Sequence, residues 1–262
     1  ATINNEWCQP ELITKIPPVY SDGDLLDSIV GISANEFKKR CINQYKRYVT
    51  HNNAQLQFSE DTRTLANLSC AFDCLENLQA THYCLQTAYQ KKENITREQA
   101  FAAFLDVYLP DDFHNYLKDF PVNHPLALYC YNYRNVVMDL YDTHKDPLAY
   151  EKNLLKNAPL TKEEQTLIHQ YETAFKAGIS FQQESELMAL SAKYFKENDQ
   201  FRWESFSKAK ERLSNIIQDS TSLIVDYIRA IYMRSSFYNL QPLTPRQELM
   251  ASEITNPIFL GI

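Results

Sequence analysis

The chain has 262 residues and a formal net charge of −7 at pH 7, so it is long enough to bury a core without disulfides, and it lacks the basic field that nonspecific nucleic-acid binding requires. It has no run of 18 or more apolar residues, so no transmembrane segment is predicted. Glycine occurs only four times, where average usage is about 7%, and this scarcity disfavours the hairpin turns of sheet proteins. We therefore expect an all-α multi-helix bundle.

Proline and glycine punctuate residues 1–32, which we expect to form an extended arm. Residues 33–262 then form a single helical domain. All six cysteines precede residue 131, which suggests subdomains at 33–145, with the cysteines, and 146–262, without them.

The first two helices of this domain are marked by capping residues. Ser33, with Glu36 three residues on, opens a helix that runs to about Thr50. Five basic residues on its outer side form a candidate surface for an acidic partner or anionic lipid, although such a run is more often a solvated helix face: Lys38, Lys39, Arg40, Lys46 and Arg47. Ser59 opens a second helix, expected to run unbroken over 59–92.

The later helices follow from caps and apolar periodicity. A mostly apolar helix is expected over 126–143, and Thr161 with Glu164 opens a helix that stops at Gly178. Residues 180–197 form a further helix. Apolar residues at intervals of three and four from 201 to 232 predict long amphipathic helices, either one helix or two with a break near 220–222.

The cysteines indicate a disulfide framework. Six thiols, an even number, are typical of an oxidising compartment: Cys8, Cys41, Cys70, Cys74, Cys84 and Cys130. Of the fifteen pairings available, the one expected first is Cys41–Cys70, with Cys8–Cys74 and Cys84–Cys130 completing the set. The chain starts at Ala1 and not at Met, which fits a mature protein whose signal peptide has been removed. We therefore expect a secreted or periplasmic protein.

The spacing Cys41-x28-Cys70-x3-Cys74 resembles the opening of the six-cysteine pattern of insect odorant-binding proteins, which are small helical carriers of apolar ligands. The positions of Cys84 and Cys130 depart from that pattern, and the chain is about twice as long. No residue role is carried over from the resemblance.

No established catalytic motif is present, and no metal or cofactor is predicted. If the protein is an enzyme, a metal-assisted or acid/base hydrolase fits best, with side chains from several helices: His114, Asp142, His144, His169 and Glu172. His169 and Glu172 are one helical turn apart, but a surface pair is the ordinary interpretation of that spacing.

Three functions remain open. The one we expect is a non-catalytic exported protein that binds a macromolecular partner, most plausibly a protein, through a surface or groove. The first alternative is the hydrolase described above. The second is a carrier of an apolar small molecule, lined by Tyr129, Tyr133, Tyr227 and Tyr232.

Overall fold

A computed structural model describes residues 16, 23–104, 109, 113–142, 148–219, 221–238 and 241–259. Over these residues the chain is helical and has no strand, which confirms the all-α multi-helix bundle. The α-helices of the described part are α1 (Gly23–Ser28), α2 (Ala34–Ala54), α3 (Glu60–Gln79), α4 (Thr81–Glu93), α5 (Arg97–Phe104), α6 (Tyr133–Asp142), α7 (Ala149–Asn157), α8 (Lys162–Lys176), α9 (Glu184–Lys193), α10 (Asp199–Ile217), α11 (Leu223–Tyr238) and α12 (Pro245–Ser252). Short 3₁₀ helices cover Phe113–Asp119, Pro125–Tyr129 and Pro257–Phe259. Among the described helices, none is long and apolar enough to cross a membrane.

The predicted helix starts are confirmed by hydrogen bonds at the caps. The Ser33 hydroxyl accepts from the backbone N–H of Glu36 at 3.1 Å, and the Ser59 hydroxyl accepts from that of Thr62 at 3.2 Å. Thr161 and Glu164 form a complete capping box at the start of α8. These side chains satisfy N–H groups that have no partner within the helix.

The expectation of one unbroken helix over 59–92 is wrong. The chain breaks at Ala80, where φ is −76° and ψ is 7°, and α4 begins at the next residue. The Thr81 hydroxyl donates to the carbonyl of Leu78 at 2.5 Å. A threonine hydroxyl bonded to the preceding turn competes with regular helical bonding.

The chain divides into two compact units. Unit 1 comprises residues 1–100 and 106–139, and unit 2 comprises residues 101–105 and 140–262. Compactness does not show independent folding, so the subdomains expected at 33–145 and 146–262 remain a prediction. Within the expected extended arm, the described segment 23–28 is helical.

The core of unit 1 is built on α2 and α3. The Asn52 amide donates to Asn67 and the Cys74 thiol contacts the Cys41 carbonyl, so the two helices are antiparallel. The ring of Tyr133 on α6 packs edge-on against Phe72 on α3, with ring centroids 4.9 Å apart. Both side chains are almost wholly buried.

The predicted disulfides are not present among the described cysteines, which is a correction. Five cysteines are buried and form no disulfide, because no two of them lie within disulfide distance: Cys41, Cys70, Cys74, Cys84 and Cys130. The sixth, Cys8, lies outside the described residues. The five cysteines are part of the buried core, where a cysteine that forms no disulfide behaves as a small hydrophobic residue.

Unit 2 contains two local clusters. The first joins α7, α8 and α9 through Leu154, Ile168, Leu190 and Tyr194. The second joins α10 and α11, where the rings of Phe206 and Tyr232 stack with centroids 4.7 Å apart. The long apolar pattern over 201–232 is thus two helices, interrupted near the predicted break.

Candidate functional site

Of the five candidate catalytic residues, the structure describes the side chains of two. The side chains of His114 and Asp142, and all of His144, lie outside the described part. His169 and Glu172 lie on α8, where Nδ1 of the imidazole is 3.5 Å from Oε2 of the carboxylate. The imidazole is 63% exposed, as expected for a surface pair.

His169 also lines a shallow groove of about 470 Å³ on α8. The other lining residues are Thr166, Gln170, Thr173, Ala174, Ala177 and Ile179. One exposed imidazole among hydroxyl, amide and apolar groups provides no nucleophile activated by a base. Within the described ranges, no three His, Cys, Asp or Glu side chains converge to hold a metal ion. This groove therefore does not support the hydrolase.

Among the described residues of unit 2, a buried charge network surrounds Asp226, which the sequence interpretation did not single out. Oδ1 of the Asp226 carboxylate accepts from Nη1 of Arg229 at 2.6 Å. Oδ2 accepts from the N–H and the hydroxyl of Thr255 and from the N–H of Asn256 at 2.9–3.0 Å. With four donors on two oxygens and no exposed surface, this carboxylate is engaged in structure and is closed to a substrate. An Asp and an Arg three residues apart within an apolar helix was the signal available in the sequence.

The basic residues predicted on the first helix divide into two groups. Lys38 is half-buried, donates to the Phe113 carbonyl and lies 4.7 Å from the centre of that ring. Arg40 donates to the Ser28 carbonyl and pairs with Glu36. These two side chains are engaged within unit 1.

The remaining three, Lys39, Lys46 and Arg47, are exposed and form what we call the basic face of α2. None of them makes an ion pair with a described residue. In helical projection, Lys39 and Lys46 lie about 20° apart and about 10.5 Å apart along the axis, with Arg47 about 80° from Lys39. Asn43 and Thr50, both exposed and uncharged, lie between them in this projection. The three cations therefore share one side of the helix.

The sequence around this face contains little counter-charge: Glu36, one turn before Lys39, pairs with Arg40. Residues 37–59 include five Lys or Arg and no Asp or Glu, although the chain as a whole carries −7. No acidic residue follows Lys39 on α2 or in the turn to α3, and exposed charges beyond about 10 Å are screened by salt. The basic face is thus a local feature of opposite sign to the chain.

The tyrosines predicted to line a carrier cavity have different environments. In unit 1, Tyr133 is buried against Phe72, whereas Tyr129 is 73% exposed. In unit 2, Tyr232 is buried against Phe206, and Tyr227 packs on Phe259. Three of the four rings therefore fill helix contacts, and none of them lines the α8 groove.

Comparison with known proteins produced no match: no family model, no curated protein and no solved structure is significantly similar to the chain.

Proposed function

We propose that this is a non-catalytic binding protein whose basic face on α2 contacts an anionic macromolecular partner. The observation that carries the proposal is the exposure of Lys39, Lys46 and Arg47 on one side of a helix that lacks acidic neighbours over residues 37–59. Complementary charge promotes encounter and selects partners. Two other basic residues of the same helix are used internally, which leaves these three for a partner.

A protein partner fits this face better than a nucleic acid. A long polyanion would experience the whole chain, whose net charge of −7 repels it. A short acidic segment of a protein would experience chiefly the local cations, because screening limits the reach of the remaining charges.

Export to the periplasm or outside the cell remains a prediction. It rested largely on disulfides, and the five described cysteines form none. The even number of cysteines still supports export. Fractionation of the native source, with immunodetection of the chain, tests it: recovery in the cytosolic fraction alone would contradict export.

The hydrolase and the apolar carrier also remain predictions. The described part offers the hydrolase only the exposed His169–Glu172 pair, and it places most of the expected carrier tyrosines in helix packing. Neither observation favours these functions over partner binding.

Selection from a random peptide display library tests the binding proposal without knowledge of the natural partner. The immobilised wild-type chain is the bait. The variant Lys39→Glu/Lys46→Glu/Arg47→Glu is the counter-bait. The matched control is Lys162→Glu/Lys196→Glu/Lys208→Glu, which reverses three exposed cations outside α2 and changes the net charge equally. We expect enrichment of Asp and Glu in the selected peptides, and loss of binding to the triple variant but not to the control. Selected peptides without acidic enrichment, or with equal binding to the triple variant, would overturn the proposal.

A further inference from the structure

The spacing of the cations on α2 specifies the conformation of the segment that would bind them. Lys39 and Lys46 are seven residues apart, which is close to two helical turns. Their side chains therefore leave nearly the same side of the helix, and their Cα atoms are about 10.5 Å apart along the axis. We propose that the partner segment is an acidic α-helix that lies along α2 and presents carboxylates seven residues apart. This inference rests on the proposed function, because it concerns the same face.

A helical partner reproduces this spacing without strain. Two carboxylates at positions i and i+7 of a helix are also about 10.5 Å apart and also share a face. An extended peptide rises about 3.3 Å per residue and alternates its side chains. In an extended peptide, residues i and i+3 are about 10 Å apart, close to the distance between the two lysines, but their side chains lie on opposite faces of the peptide.

Arg47 adds a second line of contact. It lies about 80° around the helix from Lys39 and about 12 Å along the axis, one residue beyond Lys46. Because helical side chains lean toward the N-terminus, the long Arg47 side chain can meet a third carboxylate placed between the other two. Arginine presents a fork of donors that binds a carboxylate through two hydrogen bonds. Between the cations, Asn43 and Thr50 are uncharged and exposed. The surface between the two lines of charge therefore does not repel an acidic helix.

Charge is the main complementarity of this face, which sets the expected affinity. Exposed ion pairs contribute little individually, on the order of twofold in affinity each. The dispersed isomer can still form one of the three pairs, so the two others give the matched peptide an advantage of roughly fivefold. The advantage should shrink at high ionic strength, because the pairs are exposed.

Two isomeric peptides test the spacing. Both contain 20 residues of Ala and Gln with three Glu. In the matched peptide the glutamates are at positions 5, 9 and 12, on one face, and in the dispersed peptide at positions 5, 10 and 15, around the helix. Circular dichroism verifies that the two peptides have equal helicity. Binding to the full chain is followed by amide chemical shifts at low salt.

We expect the matched peptide to bind about fivefold more tightly than the dispersed one, with shifts on α2. Lys46→Glu should abolish that preference, Lys46→Gln should reduce it, and Lys208→Glu should leave it unchanged. Equal affinities that both fall with Lys46→Glu would overturn the helical spacing but leave the proposed function standing. Absence of binding by either peptide would also overturn the spacing inference. Binding that is insensitive to the Lys39→Glu/Lys46→Glu/Arg47→Glu variant would remove the proposed function as well.

Discussion

Arg229 and Asp226, one turn apart on α11, form an ion pair in which both side chains are buried and Nη1 lies 2.6 Å from Oδ1. The second oxygen of Asp226 accepts hydrogen bonds from the backbone N–H groups of Thr255 and Asn256, which follow α12. The pair therefore ties the segment after α12 to α11. Phe259, in the next short helix, is buried and packs on Tyr227 of α11.

Removal of this carboxylate should destabilise unit 2 strongly. Asp226→Ala removes the buried partner of the Arg229 guanidinium, which keeps only the partly exposed carboxylate of Glu253, and it releases three donors at Thr255 and Asn256. We therefore expect a loss of about 3 kcal/mol in the free energy of unfolding. Urea denaturation, followed by fluorescence of Trp203 in a Trp7→Phe background, measures it.

Asp219→Asn is the matched control for this substitution. Asp219 is exposed and bonds only to Thr221 among the described residues, and an asparagine can accept the same bonds. We expect a change below about 0.5 kcal/mol in the control. If Asp226→Ala lost no more free energy of unfolding than this control, the buried network would contribute little to stability.

Local features of this fold could be predicted from the sequence, whereas contacts between residues far apart in the sequence could not. Ser33 and Thr161 cap helices through residues three positions away, so a short motif contains the whole interaction. Asp226 bonds to residues 29 and 30 positions later, and no local pattern indicates that contact. The break at Ala80 was missed because neither glycine nor proline marks it.

The candidate site shows the same division. The basic residues on α2 were recognisable from their sequence run, but their separation into engaged and exposed groups depends on distant residues. Lys38 reaches Phe113, 75 positions away. The number of cysteines alone does not distinguish disulfide partners from small core residues. Both kinds of cysteine are buried, and a thiol without a disulfide also packs well in a helical core.

Glu164 should make the stability of unit 2 depend on acid pH. Hydrogen bonds from Lys193, from the Thr161 N–H and from the Tyr194 hydroxyl lower the pKa of this carboxyl to about 2, with the Lys193 bond the largest cause. Because the folded pKa lies below the unfolded value, the stabilisation is present above pH of about 4.5 and is lost as the pH falls toward 2.

In Glu164→Gln, the free energy of unfolding should therefore decrease less than in the wild type as the pH falls from about 4.5 toward 2. Urea titrations at pH 2.5, 3.5, 4.5 and 6 measure the slope, and Glu197→Gln, at an exposed carboxylate, serves as control. The account fails here if both variants retain the wild-type slope.

The buried thiols should be unreactive in the folded chain. Burial raises the pKa of Cys70 to about 11 and those of Cys41, Cys84 and Cys130 to about 12, and it raises the pKa of Cys74 further. Only the thiolate is nucleophilic. In a Cys8→Ser variant at pH 8, a disulfide-exchange reagent should label none of the five rapidly.

In denaturant without reductant, all five thiols of that variant should be labelled. The variant is expressed in the source organism and purified without reductant, because the oxidation state of its thiols reflects the compartment in which the chain folds. Fewer than five labelled thiols after denaturation would contradict the absence of disulfides among these cysteines and restore the argument for an oxidising compartment.

The two glycines with positive φ should differ in their tolerance of alanine. Gly31 has φ of 76° and open space where a Cβ would lie, so Gly31→Ala should cost about 1 kcal/mol for its backbone conformation alone. Gly178 has φ of 67°, and an added Cβ would lie 3.1 Å from the Cβ of Phe101.

Gly178→Ala should therefore cost more, about 2 kcal/mol or above, since it combines backbone strain with a steric contact. Guanidinium denaturation monitored by far-ultraviolet circular dichroism compares the two variants. Equal losses would mean that the surroundings of Phe101 relax freely around the added methyl group.

The measurement that tests the central claim most directly is calorimetric titration of an acidic peptide from the display selection, at low and at high salt. The titrated proteins are the wild-type chain, Lys39→Glu/Lys46→Glu/Arg47→Glu and the charge-matched control Lys162→Glu/Lys196→Glu/Lys208→Glu. Binding through the basic face of α2 predicts a dissociation constant that rises at least about tenfold in the triple variant, stays unchanged in the control, and rises with salt for the wild type. Equal affinity of the wild type and the triple variant at low salt would contradict the account.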